Sequence, residues 1–251
     1  MNIERYRIAD QVVEIRSLHS QVHRLCADYR TEDPADYSVS ICQEDIEAER
    51  KRSSRAGRVS GAPVSWSDAY LEELAVYRKM ADHLLSRDIL LFHGSCLCMD
   101  GAGYLFAAPS GTGKSTHSRL WREVFGDRVS MVNDDKPLLH IGETVTAYGT
   151  PWNGKERQGN NMSVPLRAIC LLERAEENRI EPVSASGVFA PLLQQVYRPG
   201  DPEALARSLA LFWKLLARVR LYRLGCNMDR SAAELAFRVM SEDAQTGGIH
   251  G

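Results

Sequence analysis

Gly111, Gly113, Lys114 and Ser115 are the residues of this chain whose types and spacing most directly permit chemistry. In the run Pro109-Ser110-Gly111-Thr112-Gly113-Lys114-Ser115-Thr116, the two glycines let backbone N–H groups turn inward and ring a polyphosphate without side-chain clash. Lys114 can then reach the terminal phosphates. Ser115 is the first hydroxyl of a following helix, placed to ligate magnesium with Thr116 behind it, and the helix N-terminus presents its positive dipole end to the same anion. Ser110, Gly111, Thr112, Gly113, Lys114, Ser115 and Thr116 are therefore the expected nucleotide-binding set, with ATP and Mg2+ as the expected cofactors. The pattern G-x-x-x-x-G-K-[ST] is met with one departure. Ala108 replaces the first glycine, where a small residue suffices because the chain merely leaves a strand.

A second constellation supports the first. Val129 to Asn133 reads as an apolar strand ending in Asp134 and Asp135, and in nucleotide-binding α/β proteins a carboxylate so placed faces the metal held by the loop hydroxyl. One carboxylate can hold magnesium, directly or through water, while its neighbour, roughly 3 to 4 Å along the chain, takes the proton from an attacking hydroxyl. A pure ATPase needs no such second acid. The competing reading of Asp134-Asp135-Lys136-Pro137 is a solvated turn, which Asp and Pro favour. A third region is the polar loop from Thr150 to Asn161, where Lys155 and Arg157 beside Trp152 and Gly154 can close over a transferring phosphate or simply be solvated.

The elements that must position these groups follow from periodicity. Val12 to Ile15 suggests a strand, Leu18, Val22, Leu25 and Tyr29 follow at helical spacing, and Tyr37, Val39 and Ile41 alternate as a half-buried strand. A charged stretch from Glu44 to Arg58 leads to an expected linker over 53–66. Ser67 opens a helix with Leu71, Leu74, Met80, Ala81 and Leu84 close to one stripe. Strands are expected at Ile89–Phe92 and Ser95–Met99, and the Asp100-Gly101 pair turns the second of these into the strand before the glycine loop. A hairpin feeding that loop points to a mixed sheet. Further strands are expected at 138–141, 145–148, 168–172 and 221–224, with helices over 188–197, over 202–219 and from Ser231, and a frayed tail from Glu242.

Composition narrows the partners. With 251 residues, 44% of them hydrophobic and 25% charged, the chain can bury a real core. A formal net charge of −2, from 31 basic and 33 acidic residues, gives no global field toward nucleic acid or anionic membrane. Neither is an expected partner. The N-terminus carries scattered charges and no apolar core segment, so the expected location is the cytoplasm. The six cysteines fall mostly in apolar runs without zinc spacing and read as buried thiols, Cys96-Leu97-Cys98 included.

On His93-Gly94 opening the hairpin, on the loop Pro109 to Ser115, on Asn133-Asp134-Asp135 and on the returning strand Ile169 to Glu173, the chain resembles the catalytic domain of HPr kinase/phosphorylase and its relatives over residues 88 to 240. More distantly, Ser110 to Ser115 looks like the loop of phosphoenolpyruvate carboxykinases. The resemblance implies an α/β, mixed-sheet P-loop kinase core over 88–251, preceded by a smaller α+β region over 1–87 that binds substrate or partner. It implies transfer of the ATP γ-phosphate to a serine-like hydroxyl of a peptide, protein or small molecule, and a homo-oligomer. It gives Asp135 the role of base, Asp134 a place near the metal with Ser115, and His93 an assisting role, the two aspartates being interchangeable on sequence grounds. Lys114, with Arg157 or Lys155, would offset charge on the moving phosphoryl group. The long Gly-rich signature of true HPr kinases is not visible here, which detaches HPr itself and the phosphorylase reaction from the expectation. The rival reading is a nucleotide-dependent switch that hydrolyses slowly and transfers nothing.

Overall fold

The computed structural model of the chain describes residues 1–60, 66–109 and 111–242, without the side chains of 55–60. Two antiparallel strands, β1 (Asn2–Ile8) and β2 (Gln11–Ser17), are joined by β3 (Tyr37–Ser40) in parallel to β2. The alternation in β1 is masked by its charges, since only Tyr6 and Ile8 are fully buried, and periodicity alone does not reveal it. The helical spacing from Leu18 resolves into a short α1 (Gln21–Leu25) and a 3-10 turn at Ala27–Tyr29.

Next, α2 (Gln43–Ser60) runs through the first part of the expected linker, which corrects that expectation for 53–60. Nothing from Lys51 to Ala56 breaks a helix, and Gly57 alone weakens it only modestly. Residues 61–65 of the expected linker lie outside the described residues, as does the tail 243–251. As expected, Ser67 caps α3 (Asp68–Leu84) by accepting a hydrogen bond from the Tyr70 N–H through Oγ.

The remaining elements are β4 (Ile89–Leu91), β5 (Ser95–Met99), β6 (Ala102–Ala107), α4 (Lys114–Phe125), β7 (Val129–Asn133), β8 (Leu138–Ile141), β9 (Val145–Tyr148), β10 (Ser163–Arg174), β11 (Arg179–Pro182), α5 (Ala185–Leu193), α6 (Pro202–Arg218), β12 (Arg220–Cys226) and α7 (Arg230–Ser241). Their strands form a 9-stranded sheet in the order β4-β8-β9-β10-β6-β5-β7, with β12 paired to β10 and β11 to β12. The expected α/β class and mixed sheet are what the structure has.

Strand direction decides where a site can form. β10 runs parallel to both β6 and β12, and β5 lies antiparallel between β6 and β7. The carboxyl ends of β7, β6, β10 and β12 therefore open on one edge of the sheet, the usual place for ligands in α/β proteins. The β5–β6 hairpin turns through Asp100 and Gly101, both at positive φ, the conformation that the Asp-Gly pair favours.

Alternate residues of the central strands feed opposite cores. Leu105, Val132, Ile169 and Leu221 pack with Val188, Leu192, Phe212 and Leu215 of α5 and α6. Tyr104, Phe106, Cys170 and Leu172 pack with Leu120, Trp121, Ala233 and Met240 of α4 and α7. A third core joins the small sheet and α3 to Ile89, Leu91, Leu138 and Trp152. The helix expected over 188–197 ends earlier, at Leu193, because Val196 bridges to Phe92 and the Tyr197 N–H donates to the Leu91 carbonyl. Cys26, Cys96 and Cys170 are buried free thiols, Cys98 and Cys226 are half-buried and Cys42 is exposed. Among the described residues no helix is long and apolar enough to cross a membrane.

Candidate active site

β6 delivers the chain through the buried Ala107 and Ala108 into the glycine loop. Gly111 and Gly113 hold φ of +80° and +125°, and a Cβ at either would meet nothing within 4 Å. Glycine is needed there for backbone conformation, and the space it leaves stays open. α4 begins at Lys114 with Gly113 in the cap position, so its first-turn N–H groups have no capping side chain. Ser115 is exposed and Thr112 and Thr116 are half-buried around this turn. The Lys114 ammonium folds back and donates to the Ala108 carbonyl at 2.9 Å. Burial lowers its pKa, Asp135 pushes in the opposite direction and Lys136 adds to the lowering. Charges at the end of β7 thus reach into the glycine loop. Ser110 lies outside the described residues.

At the end of β7, fully buried Asn133 organises everything that follows. Its Oδ1 accepts from the Asp135 N–H at 2.9 Å and from the Lys136 N–H. Its Nδ2 donates to the carbonyl and hydroxyl oxygens of Thr150, each at 3.1 Å, and to Asn153 Oδ1 at 3.2 Å. One amide side chain therefore ties the acidic pair to the 150–161 loop. His93 Nε2 lies 3.0 Å from Asp135 Oδ1, and the Lys136 ammonium pairs with Asp135 Oδ2. Burial would raise the Asp135 pKa, but the hydrogen bond with His93 and the Lys136 charge outweigh it and bring it down to about 2. His93 is itself held by its backbone N–H, which donates to the Gln195 carbonyl at 2.7 Å, while the Gly94 N–H donates to the Asp135 carbonyl at 3.0 Å. A Cβ at Gly94 would press on Leu105 Cδ1 and the Phe106 carbonyl at 3.0 Å, so glycine lets the chain cross close to β6.

Asp134 faces the other way, its Oδ1 accepting from the Gly154 N–H at 2.7 Å. The loop carrying Gly154 is anchored rather than merely solvated. Trp152 is buried against Tyr77, the Asn160 side chain donates to the Met131 carbonyl at 2.8 Å, and a Cβ at Gly149 would strike the Asn160 carbonyl and come within 2.7 Å of the Val132 carbonyl. Lys155 and Arg157 are exposed on it. Among the described residues neither forms a hydrogen bond or ion pair with Asp134 or Asp135; burial raises the pKa of Glu73 on α3, and the Arg157 charge is among those that oppose this rise. The structure thus brings together His93, Asp134, Asp135 and, electrostatically, Lys114, while leaving Lys155 and Arg157 at the rim.

Three residues take parts that the sequence does not assign them. Asn133 was visible as a polar residue ending an apolar strand, and Lys136 as the base beside two acids. Arg174, at the end of β10, donates to the Gly111 carbonyl at 2.6 Å and braces the glycine loop. It gave no signal, because only the register of β10 against β6 brings it there. Among the described residues no group of three or more His, Cys, Asp or Glu side chains can hold a metal on its own.

The family model described as SynChlorMet cassette protein ScmC matches residues 66–198, just over half of the chain and the stretch that holds every group described above, Arg174 included. No curated protein matches. Among solved structures, the Hpr(Ser) kinase/phosphatase from Coxiella burnetii is similar at 11% sequence identity with a TM-score of 0.33, over 61% of this chain and 99% of that one, a distant structural relation.

Proposed function

The chain belongs to the ScmC family, and from that premise we propose that it is an ATP-dependent kinase, moving the γ-phosphate to a serine-like hydroxyl of a peptide, protein or small molecule on a P-loop core of the HPr kinase type. The observation that carries this reading is one shared edge: β6 ends in a glycine loop and helix N-terminus, and β7, pointing the same way, ends in two acids, one of them paired to His93. Polyphosphate and acceptor hydroxyl would meet between them.

In this scheme the backbone of 111–113 and the Lys114 ammonium hold the β- and γ-phosphates. Ser115 and Asp134 supply hard oxygen donors for Mg2+, and the second oxygen of Asp134 is left for that use by the Gly154 N–H on the first. Mg2+ bound there would neutralise charge on the phosphates. Asp135 removes the acceptor proton as the acceptor oxygen bonds to the γ-phosphorus and the bond to the bridging oxygen of ADP breaks. A carboxylate held at about 2 is a weak base. Incoming phosphates would draw Lys136 away from it, leaving the His93–Asp135 pair to take the proton. α3 would form the acceptor side, since Tyr70 and Tyr77 on it feel the Asp135 charge, and residues 1–87 would bind the acceptor or its carrier.

The test is incubation of the protein with γ-labelled ATP, magnesium and a cytosolic extract of the source cell, with Asp135→Asn as control. Label in a peptide, protein or metabolite fraction that the control lacks is the expected result. Label in free phosphate alone would overturn transfer and leave a nucleotide switch.

A further inference from the structure

One face of α3 and the residue before its cap carry Trp66, Tyr70, Glu73 and Tyr77 at helical spacing. Tyr77 is tilted against Trp152 at 5.2 Å, and the Lys136 ammonium lies 6.0 Å from the centre of its ring. Tyr70 stacks on Trp66 at 4.6 Å, and Trp66 is exposed. The two tyrosines are two turns apart, roughly 10 Å along the axis. Burial raises the pKa of both hydroxyls, and the Asp135 charge adds to the rise at each, so the acid is within electrostatic reach of both. Among the described residues neither hydroxyl makes a hydrogen bond.

Charge on this face is unbalanced. Glu73 stands midway between the tyrosines; burial raises its pKa, while a hydrogen bond with Gln21 and the charges of Arg157 and Arg24 oppose the rise. Among the described residues neither arginine forms a salt bridge, and Arg24 donates to the neutral Ser20 Oγ at 2.7 Å. The other acids of these elements are engaged elsewhere. Glu72 accepts from the Leu18 and His19 N–H groups at 2.6 and 2.9 Å, and Glu156 from the Gln158 side chain at 2.7 Å. Two cations from α1 and the 150–161 loop thus share one carboxyl, and the excess calls for an acidic complement.

We propose that this face of α3 sets acceptor specificity, taking an extended peptide segment with its hydroxyl at Asp135, an acidic side chain between Arg24 and Arg157, and an aromatic or branched aliphatic side chain on the Trp66–Tyr70 stack. The spacing follows from the helix. Trp66 lies roughly 11 Å along the axis from the middle of the Tyr70–Tyr77 span, about three residues of extended chain. The apolar side chain is therefore three or four residues from the phosphorylated one, with the acidic side chain between them, and the free tyrosine hydroxyls bond to the backbone that joins them. A small metabolite at Asp135 is too short to reach the stack. This inference rests on the kinase reading above and adds to it the recognition of the acceptor by α1 and α3, outside the strands that carry the glycine loop and the acids.

The experiment is labelling of a positional library of serine-centred synthetic peptides by the full-length chain with γ-labelled ATP and Mg2+, for wild type, Arg24→Glu and Trp66→Ala, beside the extract incubation above. Both substituted side chains are exposed, and the readout is preference within the library, which a change in total activity does not move. Wild type should favour Asp or Glu within two residues of the serine, and aromatic or branched aliphatic residues at three or four, each by at least about threefold over the library mean. Arg24→Glu should turn the acidic preference toward Lys and Arg, and Trp66→Ala should flatten the apolar preference alone. Labelled peptides without these preferences, or preferences that neither variant moves, would overturn the surface. Unlabelled peptides beside a labelled metabolite or protein in the extract would overturn it while the kinase stands. Label in free phosphate alone in both experiments would overturn the kinase and the surface together.

Discussion

Two glycine-bearing loops meet at the carboxyl edge of the sheet, and they use glycine for opposite reasons. In 108–113, Gly111 and Gly113 sit at positive φ with open space where a side chain would be. In 149–162, glycine yields to crowding: Gly149 is pressed on the carbonyls of Asn160 and Val132, Gly159 on the Asn153 side chain, and Gly154 on Asp134 Oδ2 at 3.0 Å. The first loop leaves open space beside its glycines. The second is packed against the protein itself, through Asn133, Trp152 and Asn160. Composition makes both look like polar surface loops, and only what surrounds each glycine separates a loop with open space beside its backbone from one that holds the acids in place.

The largest expected effect tests the acids that the second loop supports. Asp135→Asn should bind ATP–Mg2+ as wild type and lose roughly 10²- to 10⁴-fold in transfer rate, measured by single-turnover assay. A fully active variant would remove Asp135 from the chemistry. Gly149→Ala should destabilise the fold by about 3 kcal/mol, the range for overpacking against backbone, seen as a lower denaturation midpoint. Gly113→Ala should lower stability by only about 1 kcal/mol through its backbone conformation, while nucleotide binding falls much further. Equal losses of stability at 113 and 149 would erase the contrast between the loops. The smallest effect concerns pH. Lys136→Met removes a charge that holds the Asp135 carboxyl down, so its pKa should rise and the acid limb of the kcat/KM profile should move to higher pH. A limb that stays put would show that Asp135 does not titrate in the free enzyme's rate-limiting step.

The chemistry-bearing runs were readable because their signals are local. Glycines before Lys114, acids after an apolar strand and the Asp100-Gly101 turn each depend on neighbours in sequence. The mixed sheet followed from the hairpin before the glycine loop, and the α/β class from the resemblance that these motifs carry. What could not be read depends on register and tertiary contact. β1 hides behind alternating charges, α2 persists through a stretch that composition marks as a linker, and α5 stops where Val196 finds Phe92. Arg174 reaches Gly111 only because β10 packs where it does. Asn133 stands in a recognisable motif, yet its part is to bond in two directions at once, which no linear pattern expresses.

That double bonding has a thermodynamic consequence. Because the amide of Asn133 is spent on both Asp135 and Thr150, the acidic pair and the 150–161 loop share one conformational equilibrium. A ligand that favours one arrangement of the loop must favour the matching arrangement of the carboxylates, and the coupling is reciprocal. Acceptor and nucleotide, though they would touch different residues, are then expected to bind with linked affinities.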